Sequence, residues 1–164
     1  MTDRVAICCA NPEAFVRAHR WALHNRLTSL LISGADLAML PKLIDELGNF
    51  PIIAEQDLSG PITQQPCISA SALPDQPTLS SEKWPEKVAL LLTSGSTGRP
   101  VLIAKSGEMI RGEVACLRNE LAATISGAEF VITVPLAHMY GYMLGFWLPQ
   151  LSGAGLSPQR IQFP

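Results

Sequence analysis

The stretch from residue 93 to residue 100 combines glycines and hydroxyl side chains in an order that suits phosphate binding. Glycine can adopt positive φ and let the backbone approach a ligand, while successive N–H groups and hydroxyls donate to phosphate oxygens. A surface turn of small polar residues is the alternative that composition alone favours. The residues predicted to bind phosphate are Thr93, Ser94, Gly95, Ser96, Thr97 and Gly98.

Two other nucleotide-binding patterns do not fit this stretch. The loop of the P-loop nucleotide triphosphatases needs lysine and then serine or threonine after its second glycine, whereas Gly98 is followed by Arg99 and Pro100. The GxGxxG pattern of dinucleotide-binding folds is absent as well. A different class of polyphosphate loop is therefore indicated.

A second stretch of interest reads Val-Pro-Leu-Ala-His-Met-Tyr-Gly from Val134 to Gly141. Histidine can bind, position or transfer protons near neutral pH. The ordinary interpretation of His138 is a core histidine whose ring bonds a backbone carbonyl. The order of the residues around it gives it a second interpretation.

Together the two stretches resemble the adenylate-forming superfamily, which includes acyl- and aryl-CoA synthetases, luciferases and the adenylation domains of nonribosomal peptide synthetases. The family's phosphate loop is (Thr/Ser)-Ser-Gly-(Ser/Thr)-Thr-Gly-x-Pro-Lys, and this chain matches it from Thr93 through Pro100. Val101 stands at the lysine position, and Lys105 is predicted to replace part of that charge. The second stretch is similar to the family's Pro-Leu-x-His-x-Tyr-Gly segment. This implies that His138, Tyr140 and Gly141 border the pocket for the carboxylate substrate.

The resemblance implies ATP and Mg²⁺ as cofactors and a carboxylic acid as substrate. The carboxylate would attack the α-phosphate of ATP, pyrophosphate would leave, and the acyl group would pass to the thiol of CoA or of a carrier protein. The motifs cover only about residues 88 to 151, and the family's later Tyr-Gly-x-Thr-Glu segment, ribose-binding aspartate and catalytic lysine are not found. We therefore expect an amino-terminal fragment with no complete catalytic set, partnered by the remainder of the ligase or by a second protein.

Two other functions stay open at this point. The chain could be a stand-alone module that binds nucleotide or pyrophosphate, or it could be a catalytically inactive truncated remnant or an interaction protein. The carboxylic acid, the acceptor and the oligomeric state are not specified by these residues.

The elements that position these residues predict an α/β fold, with a mostly parallel sheet and flanking helices, as in part of the large amino-terminal domain of an adenylate-forming enzyme. Apolar runs at 5–9, 30–32 and 51–54 read as buried strands separated by helical stretches. A proline-rich stretch reads as a connector. The predicted divisions are 1–57 for the first βα units, 58–87 for the connector and 88–164 for the phosphate-loop segment.

The first helix is predicted to start at Asn11 and Pro12, which suit the cap and the first turn. Its buried face should carry Phe15, Ala18 and Ala22. Its exposed face should carry Arg17, His19, His24 and Arg26.

The second half of the chain is predicted to alternate strands and helices too. Strands are expected at 88–92 and 130–134, around a helix whose apolar stripe is Ile110, Val114, Leu117 and Leu121. The apolar segment from Tyr142 to Leu151 has no obvious partner in the sequence, so we expect it to pack against protein outside this chain.

Composition limits the function further. Hydrophobic residues make up 48% of the 164 residues and charged residues 16%, against a typical charged share of roughly 25%. A parallel sheet covered on both faces would explain the excess, as would a surface buried by further protein.

A net charge of −2 without basic runs argues against nucleic acid. Cys8, Cys9, Cys67 and Cys116 lack metal-site spacing, and no apolar run is long enough for a membrane span, so a cytoplasmic protein is expected.

Overall fold

A six-stranded sheet forms the centre of the computed structural model, which describes residues 3–56, 58, 65–76, 84–94, 100–125 and 128–160. The strand order is β4-β3-β1-β2-β5-β6. All neighbours are parallel except β6, which pairs antiparallel with β5 at one edge. The strands are β1 Arg4–Cys8, β2 Thr28–Leu31, β3 Ile52–Ala54, β4 Cys67–Ser69, β5 Lys87–Ser94 and β6 Pro100–Ser106.

Helices cover this sheet, and two further strands pair beside it. The α-helices are α1 Pro12–His24, α2 Leu40–Leu47, α3 Gly107–Ile125 and α4 Leu148–Ser152. Short 3₁₀ helices span Gly34–Met39 and Ala70–Ala72, and a π-helix spans Gly141–Trp147 immediately before α4. The two further strands are β7 Glu129–Ile132 and β8 Gly155–Arg160, which are parallel to each other.

The sheet is buried on both faces because alternate residues of each strand point to opposite sides. Val5 and Ile7 belong to the core beneath α1, α3 and the π-helix. Ala6 belongs to a second core that contains Leu40 and Leu43 of α2. A doubly covered sheet therefore accounts for much of the unusual hydrophobic content.

Local sequence features account for the ends of the first two helices. The Asn11 side-chain oxygen accepts hydrogen bonds from the N–H groups of Glu13 and Ala14, at 2.8 and 3.2 Å. Pro41 occupies the first turn of α2, and Gly48, at φ 79°, follows its last turn. The predicted α/β fold with a mostly parallel sheet is confirmed.

Three strands, β4, β6 and β8, were absent from the sequence-based prediction. The stretch from Pro100 to Ser106, expected to be loop leading into a helix, forms β6 along the edge of the sheet. Cys67–Ser69, inside the expected connector, forms β4 at the opposite edge. The rest of that connector is described only in part, since residues 57, 59–64 and 77–83 lie outside the described ranges.

The expectation for the segment from Tyr142 to Leu151 is wrong. Tyr142, Phe146 and Trp147 are fully buried within this chain. The Phe146 ring meets the Phe15 ring of α1 edge-on at 6.0 Å between centroids, and the rings of Trp147 and Trp84 lie 4.5 Å apart. Because the partners of this segment are distant in sequence, local patterning did not reveal them.

Candidate functional site

The predicted phosphate loop connects the two strands of a β-hairpin. Ser94 at the end of β5 pairs with Pro100 at the start of β6, and Thr93 pairs with Val101. Gly95, Ser96, Thr97 and Gly98 lie outside the described residues, so their predicted contacts with phosphate stay predictions. The structure thus gives the position of the loop's two ends.

Those ends lie where ligands commonly bind in α/β folds. β5 runs parallel to β2, so the loop leaves the sheet at the carboxyl ends of the parallel strands. The Thr93 hydroxyl donates to the Val101 carbonyl at 3.3 Å, which links the two strands next to the loop. That hydroxyl hydrogen is therefore engaged within the hairpin.

Val101, at the family's lysine position, begins the exposed part of β6. Its side chain is 51% exposed, and Ile103, two residues further along the same face, is 36% exposed. A longer side chain at either position would extend into solvent without disturbing the core.

Lys105 lies at the opposite end of the hairpin from the loop. It pairs with Ala89, five positions beyond Pro100 on β6, or about 17 Å along the strand at ~3.4 Å per residue. The residue as a whole is 8% exposed, and its ammonium forms an ion pair with Glu113 of α3. In this register Lys105 lies away from the loop, and its predicted contact with phosphate stays a prediction.

The second predicted segment forms a tight turn into the π-helix. The His138 N–H donates to the Pro135 carbonyl at 3.0 Å, and the His138 carbonyl accepts from the Tyr142 N–H at 2.7 Å. The His138 side chain is exposed, which rules out the core histidine that its residue type suggested.

Gly141 is required by this turn. A Cβ built there would lie 2.1 Å from the Pro135 carbonyl oxygen, far inside van der Waals contact. Tyr140, the preceding residue, is 75% exposed. The glycine thus lets the chain fold back on itself and present Tyr140 at the surface.

Tyr140 borders two adjoining grooves. One, of about 500 Å³, lies between α3 and the π-helix and has an almost wholly apolar lining. The other, of about 290 Å³, lies along β7 and also includes Gly141. The lining of the larger groove is Gly112, Glu113, Cys116, Leu117, Met139, Tyr140, Met143 and Leu144. Tyr140 and Gly141 both line the smaller groove, whereas neither His138 nor Lys105 is among the described lining residues of either groove.

A buried polar network holds the π-helix from behind. His19 Nδ1 lies 2.8 Å from Ser29 Oγ, and His19 Nε2 lies 3.1 Å from the Tyr142 hydroxyl. A neutral imidazole satisfies both contacts, since one ring nitrogen donates and the other accepts. Burial lowers the pKa of His19 to about 3 and raises the pKa of Tyr142, so both side chains are uncharged at neutral pH.

Sequence reasoning placed His19 on the wrong face of α1. The side chain is fully buried, four residues from Phe15, which is the spacing that puts two side chains on the same helical face. The spacing from Phe15 could have predicted that His19 is buried, but its polar residue type favoured an exposed position. The partners Ser29 and Tyr142 come from β2 and the π-helix, and helical periodicity says nothing about either.

The described residues contain neither a cluster suited to a metal ion nor a helix suited to span a membrane. Within those ranges, no three histidine, cysteine, aspartate or glutamate side chains converge as a metal site would require. No helix in the same ranges has both the length and the apolarity to cross a bilayer.

Comparison with known proteins identifies the architecture. Human mitochondrial malonate–CoA ligase is 26% identical over 182 residues, a match that covers 97% of this chain and 31% of that enzyme. A malonyl-CoA ligase in a ternary product complex with methylmalonyl-CoA and AMP superposes with a TM-score of 0.79 at 17% identity, over 97% of this chain and 35% of that one. The chain has the amino-terminal fold of the adenylate-forming superfamily.

A further relative supports the adenylate-forming fold. The o-succinylbenzoate CoA synthetase of Bacillus subtilis, solved with ATP and magnesium, gives a TM-score of 0.77 at 13% identity, over 98% of this chain and 46% of that one. No protein-family model matches the chain. The chain spans about a third of the length of the curated relative it matches. The predicted resemblance to the amino-terminal portion of this superfamily is confirmed.

Proposed function

We propose that this chain forms the amino-terminal part of an ATP-dependent ligase that adenylates a carboxylic acid and passes the acyl group to the thiol of CoA or of a carrier protein. The observation that carries the proposal is the hairpin of β5 and β6, which sets a family-like loop sequence at the carboxyl ends of the parallel strands. The adenylate-forming fold of the whole chain supports it.

In this proposal the loop binds the β- and γ-phosphates of ATP. Backbone N–H groups from Thr93 to Gly98 and the hydroxyls of Ser94, Ser96 and Thr97 would stabilise the charge that develops as pyrophosphate leaves. ATP supplies the activated phosphate and Mg²⁺ neutralises part of its charge. The attacking carboxylate needs no general base because it is ionised at neutral pH.

The larger groove beside Tyr140 is the proposed site of the acyl group. Its lining is apolar apart from Glu113, and no cationic side chain of the described residues lines it. A second carboxylate on the substrate would find no positive charge in this lining, so the groove suits an apolar acyl or aryl group. His138 is proposed to border the same pocket at its exposed edge.

Val101 offers a direct test of the loop's role. A Val101→Lys variant restores the family's lysine at an exposed site beside the loop, so MgATP should bind about tenfold more tightly, equivalent to ~1.4 kcal/mol. Isothermal titration calorimetry with MgATP on the whole chain measures this. Ile103→Lys is the matched control, because it adds the same charge on the same face further from the loop.

The two variants distinguish phosphate binding at the loop from non-specific attraction of ATP to an added positive charge. A gain confined to Val101→Lys supports the proposal. An equal gain in both variants would show non-specific attraction of ATP to added charge, and no heat from either at millimolar MgATP would refute phosphate binding by the loop.

Lys105 is tested separately. If it contacts phosphate as predicted, it must exchange Glu113 for the nucleotide, and Lys105→Met should weaken MgATP binding severalfold. Unchanged affinity in a folded Lys105→Met variant would remove Lys105 from the phosphate site and leave the loop proposal intact.

Exposed apolar groups favour a second feature of the proposal, a protein partner on the Tyr140 side of the molecule. Val131, Val134 and Tyr140 are 48%, 41% and 75% exposed, and they adjoin the two grooves. We propose that the remainder of a ligase or a second protein covers them. The same surface would serve an interaction protein without catalysis, and MgATP binding distinguishes the two functions.

A further inference from the structure

A separate groove of about 620 Å³ lies between α1 and the junction of α4 with β8. Its walls include Arg17 and Arg20 of α1 and Gln150 of α4. Among the described residues, it shares no lining residue with the grooves beside Tyr140 and includes neither Thr93 nor Ser94 of the phosphate loop. Its volume falls within the range of roughly 300–1,000 Å³ that small-ligand sites occupy.

The two arginines place unpaired positive charge in this groove. They are three residues apart on α1, so their side chains leave the same side of the helix. Arg20 donates to the Gln150 side-chain oxygen at 3.0 Å and to the Gln76 carbonyl at 3.4 Å, both neutral acceptors. Within the described part of the chain, neither guanidinium forms an ion pair with a carboxylate.

Two donors of the same guanidinium groups, the Nε atoms of Arg17 and Arg20, are buried. Neither has a hydrogen-bond acceptor among the residues that the structure describes. A buried donor without an acceptor lowers stability, because it has given up its bonds to water without replacement. An arginine contacts an oxyanion most strongly through two parallel N–H groups, which can be Nε and one Nη, so each side chain must turn its buried Nε toward the groove to bind in this way.

We propose that Arg17 and Arg20 form a binding site for a small oxyanion, the phosphate or carboxylate group of a small molecule. Glu13 and Asp75 are exposed and also line the groove, so their negative charges oppose a highly charged ligand. The groove therefore takes a single oxyanion group in preference to a polyphosphate. This preference is opposite to that of the loop at 93–98, which distinguishes the two sites.

Nuclear magnetic resonance tests the proposal on the whole chain with inorganic phosphate and, in a separate titration, acetate. The Nε–Hε signals of Arg17 and Arg20 should shift and saturate at millimolar anion. Arg17→Gln and Arg20→Gln should each weaken the affinity at least about tenfold, the size expected for losing a charge-assisted pair. Arg118→Gln, an exposed change on α3, should leave it unaltered.

Each result counts for or against the site. Saturation by phosphate alone or by acetate alone would identify which group the groove prefers, and either outcome supports the proposal. No shift of the two Nε–Hε signals with either anion would overturn it, as would equal affinity in Arg17→Gln and the parent chain. Should Arg17→Gln unfold, Arg17→Lys keeps the charge but loses the two parallel donors, and should bind more weakly. MgATP binding at the loop should be unchanged in these variants, so failure here leaves the proposed function standing.

Discussion

Gly141 is the described glycine at which an added methyl group would clash most closely with neighbouring backbone. A Cβ at this position would lie 2.1 Å from the Pro135 carbonyl oxygen and 3.1 Å from the Leu136 Cα, both rigid backbone atoms. Backbone at that distance must move to make room. The turn that presents Tyr140 and begins the π-helix therefore depends on the absence of a side chain here.

We predict that Gly141→Ala destabilises the chain by about 3 kcal/mol or more, since overpacking against backbone is among the most costly single changes. Urea unfolding followed by circular dichroism measures it. Gly112→Ala is the control: its Cβ meets nothing within 4 Å, and alanine should stabilise α3 by up to ~1 kcal/mol. Similar effects of the two changes would contradict the packing seen at Gly141.

His19 makes the stability of the chain depend on pH. Burial lowers its pKa to about 3, whereas the unfolded chain takes up the proton near pH 6.5. The unfolded state therefore binds more protons between these values, and stability falls as pH decreases from about 6.5 toward 3. Above pH 6.5 both states are neutral at this residue and the contribution is complete.

Between pH 6 and pH 5, His19 should account for about 1 kcal/mol of lost stability. Urea unfolding at both pH values measures this, and His19→Gln should show a correspondingly smaller loss over the same interval. His138→Gln makes the same substitution at an exposed histidine and serves as the matched control. A His19→Gln variant with an unchanged pH dependence would show that another group titrates.

At the scale of elements, local signals predicted more than non-local ones. The start of α1 follows from Asn11 and Pro12, and β1, β2 and β5 follow from apolar runs that a doubly covered parallel sheet requires. β6 escaped prediction because it is an antiparallel edge strand with mixed exposure, and β4 because it has three half-buried or exposed residues.

For the candidate site too, the local order of residues was informative and the contacts between distant elements were not. The order of residues around the loop and Gly141 predicted two binding segments, and their roles stay predictions. The burial of His19, the pairing of Lys105 with Glu113 and the packing of Trp147 on Trp84 all depend on contacts between distant elements. Periodicity within one element contains no information about such partners.

The ion pair of Lys105 and Glu113 joins β6 to α3. The Lys105 side chain is 10% exposed, whereas that of Glu113 is 43% exposed. Removing the carboxylate leaves a nearly buried ammonium without a counter-charge. Removing the ammonium leaves a carboxylate that water can still reach, which costs less.

We therefore predict that Glu113→Gln destabilises the chain by about 1–2 kcal/mol and Lys105→Met by less than about 1 kcal/mol. A double-mutant cycle by urea unfolding measures the coupling. The exposed pair Lys42 and Glu46 of α2, 3.7 Å apart, is the control and should couple by only ~0.3–0.5 kcal/mol. Equal costs for Glu113→Gln and Lys105→Met would contradict the difference in burial.

At the scale of the whole molecule, apolar surface is unevenly distributed. The segment from Tyr142 to Trp147 is buried, so the exposed groups of the Tyr140 side are flanking residues such as Val131 and Tyr140 itself. Parallel strands usually lie inside larger sheets, yet β7 pairs only with β8 among the described residues. Open strand edges and apolar grooves on one side of a molecule are features of a surface that another chain segment covers.

The double variant Val131→Lys/Tyr140→Lys should therefore bind less of a fluorescent hydrophobic dye than the parent chain, because two lysines replace much of the apolar rim of the grooves. Its free energy of unfolding should change by less than about 0.5 kcal/mol, since both side chains are largely in solvent. Ile103→Lys changes an exposed apolar residue on the distant edge strand β6 and should leave dye binding nearly unaltered. If all three proteins bind dye equally, the grooves beside Tyr140 are not the accessible apolar surface, and the proposed partner must dock elsewhere.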